Sequence, residues 1–529
     1  MSPGERALLD RVTAEDYGAW RRQVERTGHC SSPVRVSGGA AAVDAATGEV
    51  RASYDTRDQP DHTLLIACGD RRASVCPSCA ETYRRDMWNV VAAGVRGRPG
   101  ADTETAGPRG VAVAESGVPA SVAEHPRLFV TLTAPSFGPV HRAPAGGGVC
   151  RPRSGPHRKC VHGRPVGCGL VHDPGHHIVG SPLCADCYDY VGSVLWNAAA
   201  GALWHRTRIA VNRALARLAS AVTGERVSES GLGDLLRVSY IKVMEMQRRG
   251  LAHFHVIVRL DGVDPCDRSR IVAPPAWATA AMLAEAVASA VDRASVAMPS
   301  PDGVMRVAQW GSQRDISDVS AGGPAGDSKR LAAYLAKYST KTASDAAGES
   351  GALARRITVL HSQYLRRKIG PHLTRMVETC WKLGGRKDLE HLRRWAHTLG
   401  FRGHFATKSR RYSVTMGALR AVRRQWRARQ RAEEGTPDPW ATDDSARADD
   451  GGDGPVVVRE FTYTGKGYLK SCDLGLVERM AEAHAIALAE YRDLLRREAE
   501  MREWCDLPVP QGGSSGKEPR EARPSGVRP

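Results

Sequence analysis

His253 and His255 stand two residues apart in the apolar run Leu251-Ala-His-Phe-His-Val-Ile-Val-Arg-Leu260. A later stretch, Leu331-Ala-Ala-Tyr-Leu-Ala-Lys-Tyr338, sets two tyrosines four residues apart. Residues i and i+2 of a strand project from one face, so the two imidazoles point together with Phe254 buried behind them, and such a pair can chelate one cation. Two satisfied histidines on a half-buried strand are the plainer alternative. On a helix, Tyr334 and Tyr338 share a face, flanked by Lys337 and Lys341. A phenol with a pKa of about 10 is a poor nucleophile at neutral pH, so a tyrosine that attacks phosphate needs a nearby cation or metal. Lys337 and a histidine-held ion would supply it. Together the two motifs describe a metal-assisted tyrosine nuclease; the alternative for the helix is an ordinary amphipathic one.

These groups need a frame. Leu128 to Ala134 has the β-branched and aromatic pattern of a buried strand. Leu236 to Met246 predicts a strand that turns at Arg248-Arg-Gly250 and returns through the histidines, a hairpin by spacing and by its glycine. The outgoing strand places Glu245 and Gln247 on one face. Glu245 is the first choice for a third ligand to a hard ion such as Mg²⁺ or Mn²⁺, with Gln247 the alternative. Tyr190 to Ala221 and Met282 to Ala297 carry aliphatic residues at helical spacing, and Met305 to Val319 contains a further strand.

The order of strand, histidine strand and tyrosine helix, with hydrophobic-x-x-Tyr-hydrophobic-x-Lys spelled by Leu331, Tyr334, Leu335 and Lys337, resembles the HUH endonucleases. The resemblance is strongest to the rolling-circle replication initiators of actinobacterial plasmids and integrative conjugative elements. It extends from about Cys30 to about Tyr468 through Cys76-Pro-Ser-Cys79, Cys184-Ala-Asp-Cys187-Tyr-Asp-Tyr190, Arg248-Arg-Gly-Leu-Ala-His-Phe-His255 and Gly403-His-Phe-Ala-Thr-Lys-Ser-Arg-Arg-Tyr412. It implies a palm-like antiparallel sheet with helices behind it, a site-specific single-strand nick, a covalent 5′-phosphotyrosine at Tyr334 and a 3′ hydroxyl that primes replication. DNA at an origin, a host helicase and a host polymerase would be the partners. A conjugative relaxase or transposase of the same nuclease type, and a zinc-stabilised DNA-binding regulator with structural tyrosines, are the competing readings.

At 529 residues and 42% hydrophobic, the chain is long enough for two or three domains with real cores. Its net charge of +17 is concentrated: Gly351 to Arg431 holds 21 Lys and Arg against Glu378, Asp388 and Glu390. A block of that kind suggests a polyanion partner. Within it Lys408, Arg410, Arg411 and Tyr412 are the candidate DNA contacts, by phosphate attraction and stacking; a solvated helical extension is the alternative. No apolar run reaches the roughly 20 residues of a membrane span, and the first residues lack a signal-peptide core, so a cytoplasmic protein is expected.

In a reducing cytosol, thirteen cysteines in clustered pairs are better metal ligands than disulfides. Cys30, Cys68, Cys76 and Cys79 offer one tetrahedral zinc set. A second cluster, Cys150, Cys160, Cys168, Cys184 and Cys187 with His162 and His172 between them, offers more ligands than one zinc needs. Cys160, Cys168, Cys184 and Cys187 are the expected set, giving about two structural zinc ions per chain, with free thiols the alternative.

The expected organisation is α+β: a zinc-binding module over 1–110 ending in a Gly94 to Gly110 linker, and a nuclease core over 125–345 with a cysteine-rich insertion at about 146–190. A basic, mainly helical extension over 350–432 follows, with Leu389 to Leu399 helical. A flexible linker over 433–455, a strand, turn and long helix over 456–505, and a disordered tail over 506–529 complete it. No phosphate-binding glycine loop is present, which argues against a helicase in this chain.

Overall fold

The computed structural model describes residues 2–44, 47–97, 118–151, 158–320, 328–340, 352–353, 355–433 and 456–505. Most of the Gly94 to Gly110 segment, Lys341, nearly all of 433–455 and the tail over 506–529 lie outside the described residues.

The chain opens with α1 (Pro3–Val12), started by a reciprocal capping box between Ser2 and Glu5, and α2 (Tyr17–Arg26). Strands β1 (Val34–Val43), β2 (Val50–Asp55) and β3 (Leu64–Ile66) follow, then α3 (Pro77–Arg96) and β4 (Arg127–Leu132). Among its described residues the cysteine-rich insertion contributes β5 (Val149–Arg151) and β6 (Cys168–Val171). Next come α4 (Tyr190–Thr223), α5 (Glu229–Leu235), β7 (Leu236–Met246), β8 (Ala252–Val263) and β9 (Ile271–Val272). Then α6 (Ala280–Arg293), β10 (Val296–Met298), β11 (Arg306–Ala308), β12 (Arg314–Asp318) and α7 (Ser328–Ser339) complete the central region. Beyond them lie α8 (Ser362–Leu383), β13 (Ala406–Lys408), α9 (Met416–Glu433), β14 (Val456–Lys466) and α10 (Ser471–Cys505).

The central sheet is antiparallel in the order β12-β4-β8-β7-β13, with β9 added to the end of β8. Side chains alternate across it. Leu128, Val130, Leu132, Met244, Phe254, Val256 and Val258 enter the main core with residues of α4, α6 and α8. Ile241, Val243 and Ile257 face the other way and pack with Met87, Val90, Val91 and Val95 of α3 and Ala332, Leu335 and Ala336 of α7. Both faces are therefore covered, which is why β8 is buried at every position. Helices lie on both sides of the sheet rather than only behind it.

Buried charge fastens α3 to this sheet. The Asp261 carboxylate receives Arg259 (Nε to Oδ1 2.6 Å), Ser239 (Oγ to Oδ2 2.6 Å) and the His125 ring (Nδ1 to Oδ1 2.8 Å). Burial opposes its ionisation, but these partners hold its pKa below the usual carboxylate range. Arg259 also donates to the Gly94 carbonyl, and Arg127 donates to Val95 O at 2.7 Å. Two guanidinium groups thus meet the C-terminal carbonyls of α3, where a helix favours positive charge.

Three expectations are corrected here. The strand and helix of 456–505 are not a separate unit: β14 pairs antiparallel with β1 from Val34↔Lys466 to Val43↔Val456. In addition, Arg11 of α1 is buried against Asp473 of α10 (Nε to Oδ1 2.9 Å) and Asp61. The 1–110 module is likewise divided, since α3 belongs to the underside of the central sheet. Finally, Leu389 to Leu399 is not one helix: a short turn of helix at His391–Arg394 gives way to a 3₁₀ turn, and Leu399 is left-handed at φ 53°. The Leu399 carbonyl is taken by Asn197 of α4 (2.9 Å), a tertiary bond that replaces helix continuation.

Candidate metal and tyrosine site

The register of the hairpin assembles the site. Glu245 is paired with His253, and Val243 with His255, while β4 sets Thr131 beside His255. The Glu245 carboxylate reaches His255 (Oε2 to Nε2 3.5 Å). Helix α7 crosses this face and brings both tyrosines onto His255, with ring centroids at 5.3 Å for Tyr334 and 4.7 Å for Tyr338. The tyrosine rings are 4.6 Å apart. The fit to a cation is testable on His255, whose ring is buried although neither nitrogen has a hydrogen-bond partner among the described residues. A buried imidazole with no hydrogen bond and only this 3.5 Å carboxylate contact is costly, and a metal ion is one way to satisfy it.

Electrostatics favour ligation and disfavour an unaided nucleophile. Burial first, then the neighbouring His255, lowers the His253 pKa to about 4, so its ring is neutral with a lone pair to give. Burial first, then the hydrogen bond with Tyr338, pushes the Tyr334 phenol above its ordinary value, with Glu245 and Asp315 adding to the rise. Tyr334 is nonetheless 39% exposed, and Lys337 projects to solvent one step along the helix.

The hairpin turn is held from outside. Asn197 donates to Gly250 O (2.8 Å) and accepts from Ala252 N (3.0 Å). Arg249 donates to Ala134 O (2.8 Å), Pro135 O (3.1 Å) and Gln247 Oε1 (2.9 Å), and Gln247 Nε2 in turn donates to His253 Nδ1 (3.3 Å). Gln247 therefore contacts one histidine, and Glu245 the other. Sequence reasoning missed Phe129, which stacks on His255 at 5.9 Å and meets Tyr334 edge-on at 5.6 Å. It also missed Arg71, whose guanidinium covers Phe405 and donates to Ser339 O (3.1 Å) at the end of the tyrosine helix.

Three groups of Cys and His, among the described residues, bring four ligand atoms to within 4.8 Å of one another. The first is the expected Cys30, Cys68, Cys76 and Cys79, with Cys30 Sγ and Cys76 Sγ at 3.7 Å. Hydrogen bonding with its neighbours, Cys30 foremost, pushes the Cys76 thiol down, and the same crowding pushes Cys79 up. The second is Cys160, His162, Cys184 and Cys187, where His162 takes the place expected for Cys168 and lies 3.2 Å from Cys187 Sγ. Cys168 belongs instead with His141, Cys150 and His172. The donors outnumbered one set because they fall into two groups.

The basic block is less uniform than its composition. Arg410 is exposed, Arg411 donates to Ser269 O (2.5 Å), and Lys408 Nζ donates to Ser413 O (2.7 Å). Tyr412 is not available for stacking on a base. It is fully buried against α3, its ring filling the slot at Gly94, where a Cβ would come within 2.1 Å of it, and Arg259 lies over the ring at 5.4 Å.

The family model described as "RepSA: Replication initiator protein, pSAM2" matches residues 16–482, a stretch that contains the histidines, the tyrosines and all three Cys/His groups. The chain belongs to this replication initiator family. A curated "Replication initiator protein" of Streptomyces ambofaciens is 42% identical over 428 residues, which cover 80% of this chain and 83% of the relative. No solved structure matches. Among the described residues of this family member, no helix is long and apolar enough to cross a membrane.

Proposed function

We propose that the protein starts rolling-circle replication of a plasmid or integrative element as a site-specific single-strand endonuclease of the HUH type. The observation that carries this reading is the buried His255 ring, its nitrogens without a hydrogen bond among the described residues, enclosed by Glu245, Tyr334 and Tyr338. Membership of the initiator family supports an origin as the DNA bound, and the Arg-rich block supports a polyanion partner.

His253, His255 and Glu245 would hold one Mg²⁺ or Mn²⁺, which when bound polarises a non-bridging oxygen of the scissile phosphate. Tyr334, the more exposed phenol, attacks phosphorus through Oη. The bond from phosphorus to the 3′ oxygen breaks as the bond to Oη forms. The phenolic proton passes to water, and the departing oxygen takes one up to become a 3′ hydroxyl for the host polymerase. Lys337 would offset phosphate charge at the mouth of the site, and Tyr338 would accept the strand if a second transfer follows. A host helicase would open the duplex behind the nick. The Cys/His groups would be structural zinc sites that take no direct part in the chemistry.

The test is an SDS-stable adduct between the purified full chain and a single-stranded oligonucleotide from the element's own origin. An adduct with wild type and none with Tyr334→Phe is the expected result. Tight origin binding with no adduct under any divalent ion would leave a zinc-stabilised DNA-binding regulator. The position of the nick, at a replication origin or at a transfer origin or element end, separates an initiator from a relaxase or transposase.

A further inference from the structure

The insertion before α4 has little apolar surface to hold it. Val149, Val161, Val166, Leu170 and Val171 are all exposed, and among the described residues its pairing is confined to β5 with β6 and two isolated bridges. Such a segment is ordered by something other than a hydrophobic core. The eight donors of its two converging groups alternate along the chain: His141 and Cys150, then Cys160 and His162, then Cys168 and His172, then Cys184 and Cys187. Neither set is local, so filling one closes a loop that contains half of the other.

We propose that His141, Cys150, Cys168 and His172 form a third metal site, mixed Cys₂His₂, and that its ion anchors the turn of the histidine hairpin. The donor set is two sulfurs and two imidazole nitrogens, the chemistry of tetrahedral zinc. Cys150, Cys168 and His172 are buried, with Cys168 Sγ 3.4 Å from His172 Nε2 and Cys150 Sγ 3.8 Å from His141 Nδ1. The Arg142 backbone N–H donates to Cys150 Sγ (3.2 Å), the kind of outer bond that steadies a thiolate ligand.

The link to the hairpin begins just beyond the last ligand. Arg248, in the β7–β8 turn, donates to the carbonyls of Pro174 (2.5 Å), Gly175 (3.1 Å) and His176 (3.1 Å). Gly180 meets the Arg248 backbone so closely that a Cβ would lie 2.6 Å from its carbonyl carbon. Arg249 then fixes Gln247, and Gln247 fixes His253. The ion acts on His253 through the loop after His172 and the turn. This second limb rests on the reading of His253 and His255 as cation ligands; the first does not.

Elemental analysis of the full chain, exchanged into magnesium buffer, should find three zinc ions, and two or fewer would overturn the third site. Cys150 and Cys168 should resist alkylation as isolated and take up label once a chelator is added; labelling before chelation would overturn the assignment. His141→Gln, a partly exposed position, should lower the count to two, and retention of three would exclude His141 as a ligand. Mn²⁺ binding without DNA, followed by the paramagnetic resonance of the free ion, tests the coupling. His141→Gln should weaken it about tenfold, as loss of an outer-shell support does. Arg248→Ala should weaken it equally while keeping three zinc ions. Unchanged Mn²⁺ affinity in Arg248→Ala would overturn the coupling. Absence of Mn²⁺ binding in wild type would overturn it together with the cation reading, and the zinc count would still decide the site itself.

Discussion

The ring of Tyr338 lies over that of His255, centroids 4.7 Å apart and 34° from parallel. Tyr334 meets the same imidazole edge-on. The two phenols are therefore inequivalent: one covers the histidine, the other stands at its rim with 39% of its surface open.

Tyr334→Phe should abolish nicking and the covalent adduct while leaving origin binding unchanged, because only one hydroxyl is removed from a half-exposed ring. Tyr338→Phe should keep the adduct. Gel analysis of adducts with both variants checks this, and an adduct formed by Tyr334→Phe alone would transfer the nucleophile's role to Tyr338.

Replacing both His253 and His255 by Ala should remove nicking at every Mg²⁺ or Mn²⁺ concentration tried. A strong chelator is a poor probe, since it would also strip any zinc held by the Cys/His groups and unfold the cysteine segments. Titrating Mn²⁺ into protein of verified fold gives the clean comparison. Undiminished nicking by the double variant would remove the metal assignment.

Charge reversal at Arg410 should weaken DNA binding broadly and flatten its salt dependence, by about 0.9 in slope for each phosphate that is no longer neutralised. Arg411, already bonded to the Ser269 carbonyl, should change the slope less. Tyr412 lies outside this effect. Its buried hydroxyl has no hydrogen-bond partner among the described residues, so Tyr412→Phe should leave both affinity and stability intact. Tyr412→Ala should cost about 3–5 kcal/mol of stability by opening a cavity under α3. Binding curves at several salt concentrations and thermal melts read the two effects separately.

Lys242 gives a pH test. Its ammonium is buried 4.2 Å from the centre of the Phe254 ring, and burial lowers its pKa to about 8. Between that value and the unfolded value of about 10.4, the unfolded chain binds more protons, so folding stability rises with pH across this window. Below it, the full cost of a buried cation is present. Lys242→Met should raise the thermal midpoint at pH 7, and the gain should shrink toward pH 10. A gain that is constant with pH would show that the ammonium is not the cause.

The β7–β8 hairpin, α4 and α7 are legible in the sequence because their signals are local. A two-residue period, a glycine at φ 75° in the turn and a helical repeat of aliphatic side chains each act over one or two turns of chain. The same locality brings His253 and His255 to one face and Tyr334 and Tyr338 to another. That these two faces meet, with Phe129 against both His255 and Tyr334, was decided by the packing of α7 on the sheet.

Partner choice across distance was not legible. Cys168 stands eight residues from Cys160 in the chain, yet its sulfur converges with Cys150, His141 and His172, because ligand sets are chosen by where loops cross and many spacings satisfy a tetrahedron. Tyr412 follows two arginines, as a nucleic-acid contact would, and is buried because Gly94 leaves a ring-sized gap in α3 more than 300 residues earlier. Strand β14 carries a strand's composition, but its partner β1 lies at the other end of the chain. Backbone hydrogen bonds hold no record of their partner in local sequence, so only the assembled fold selects it.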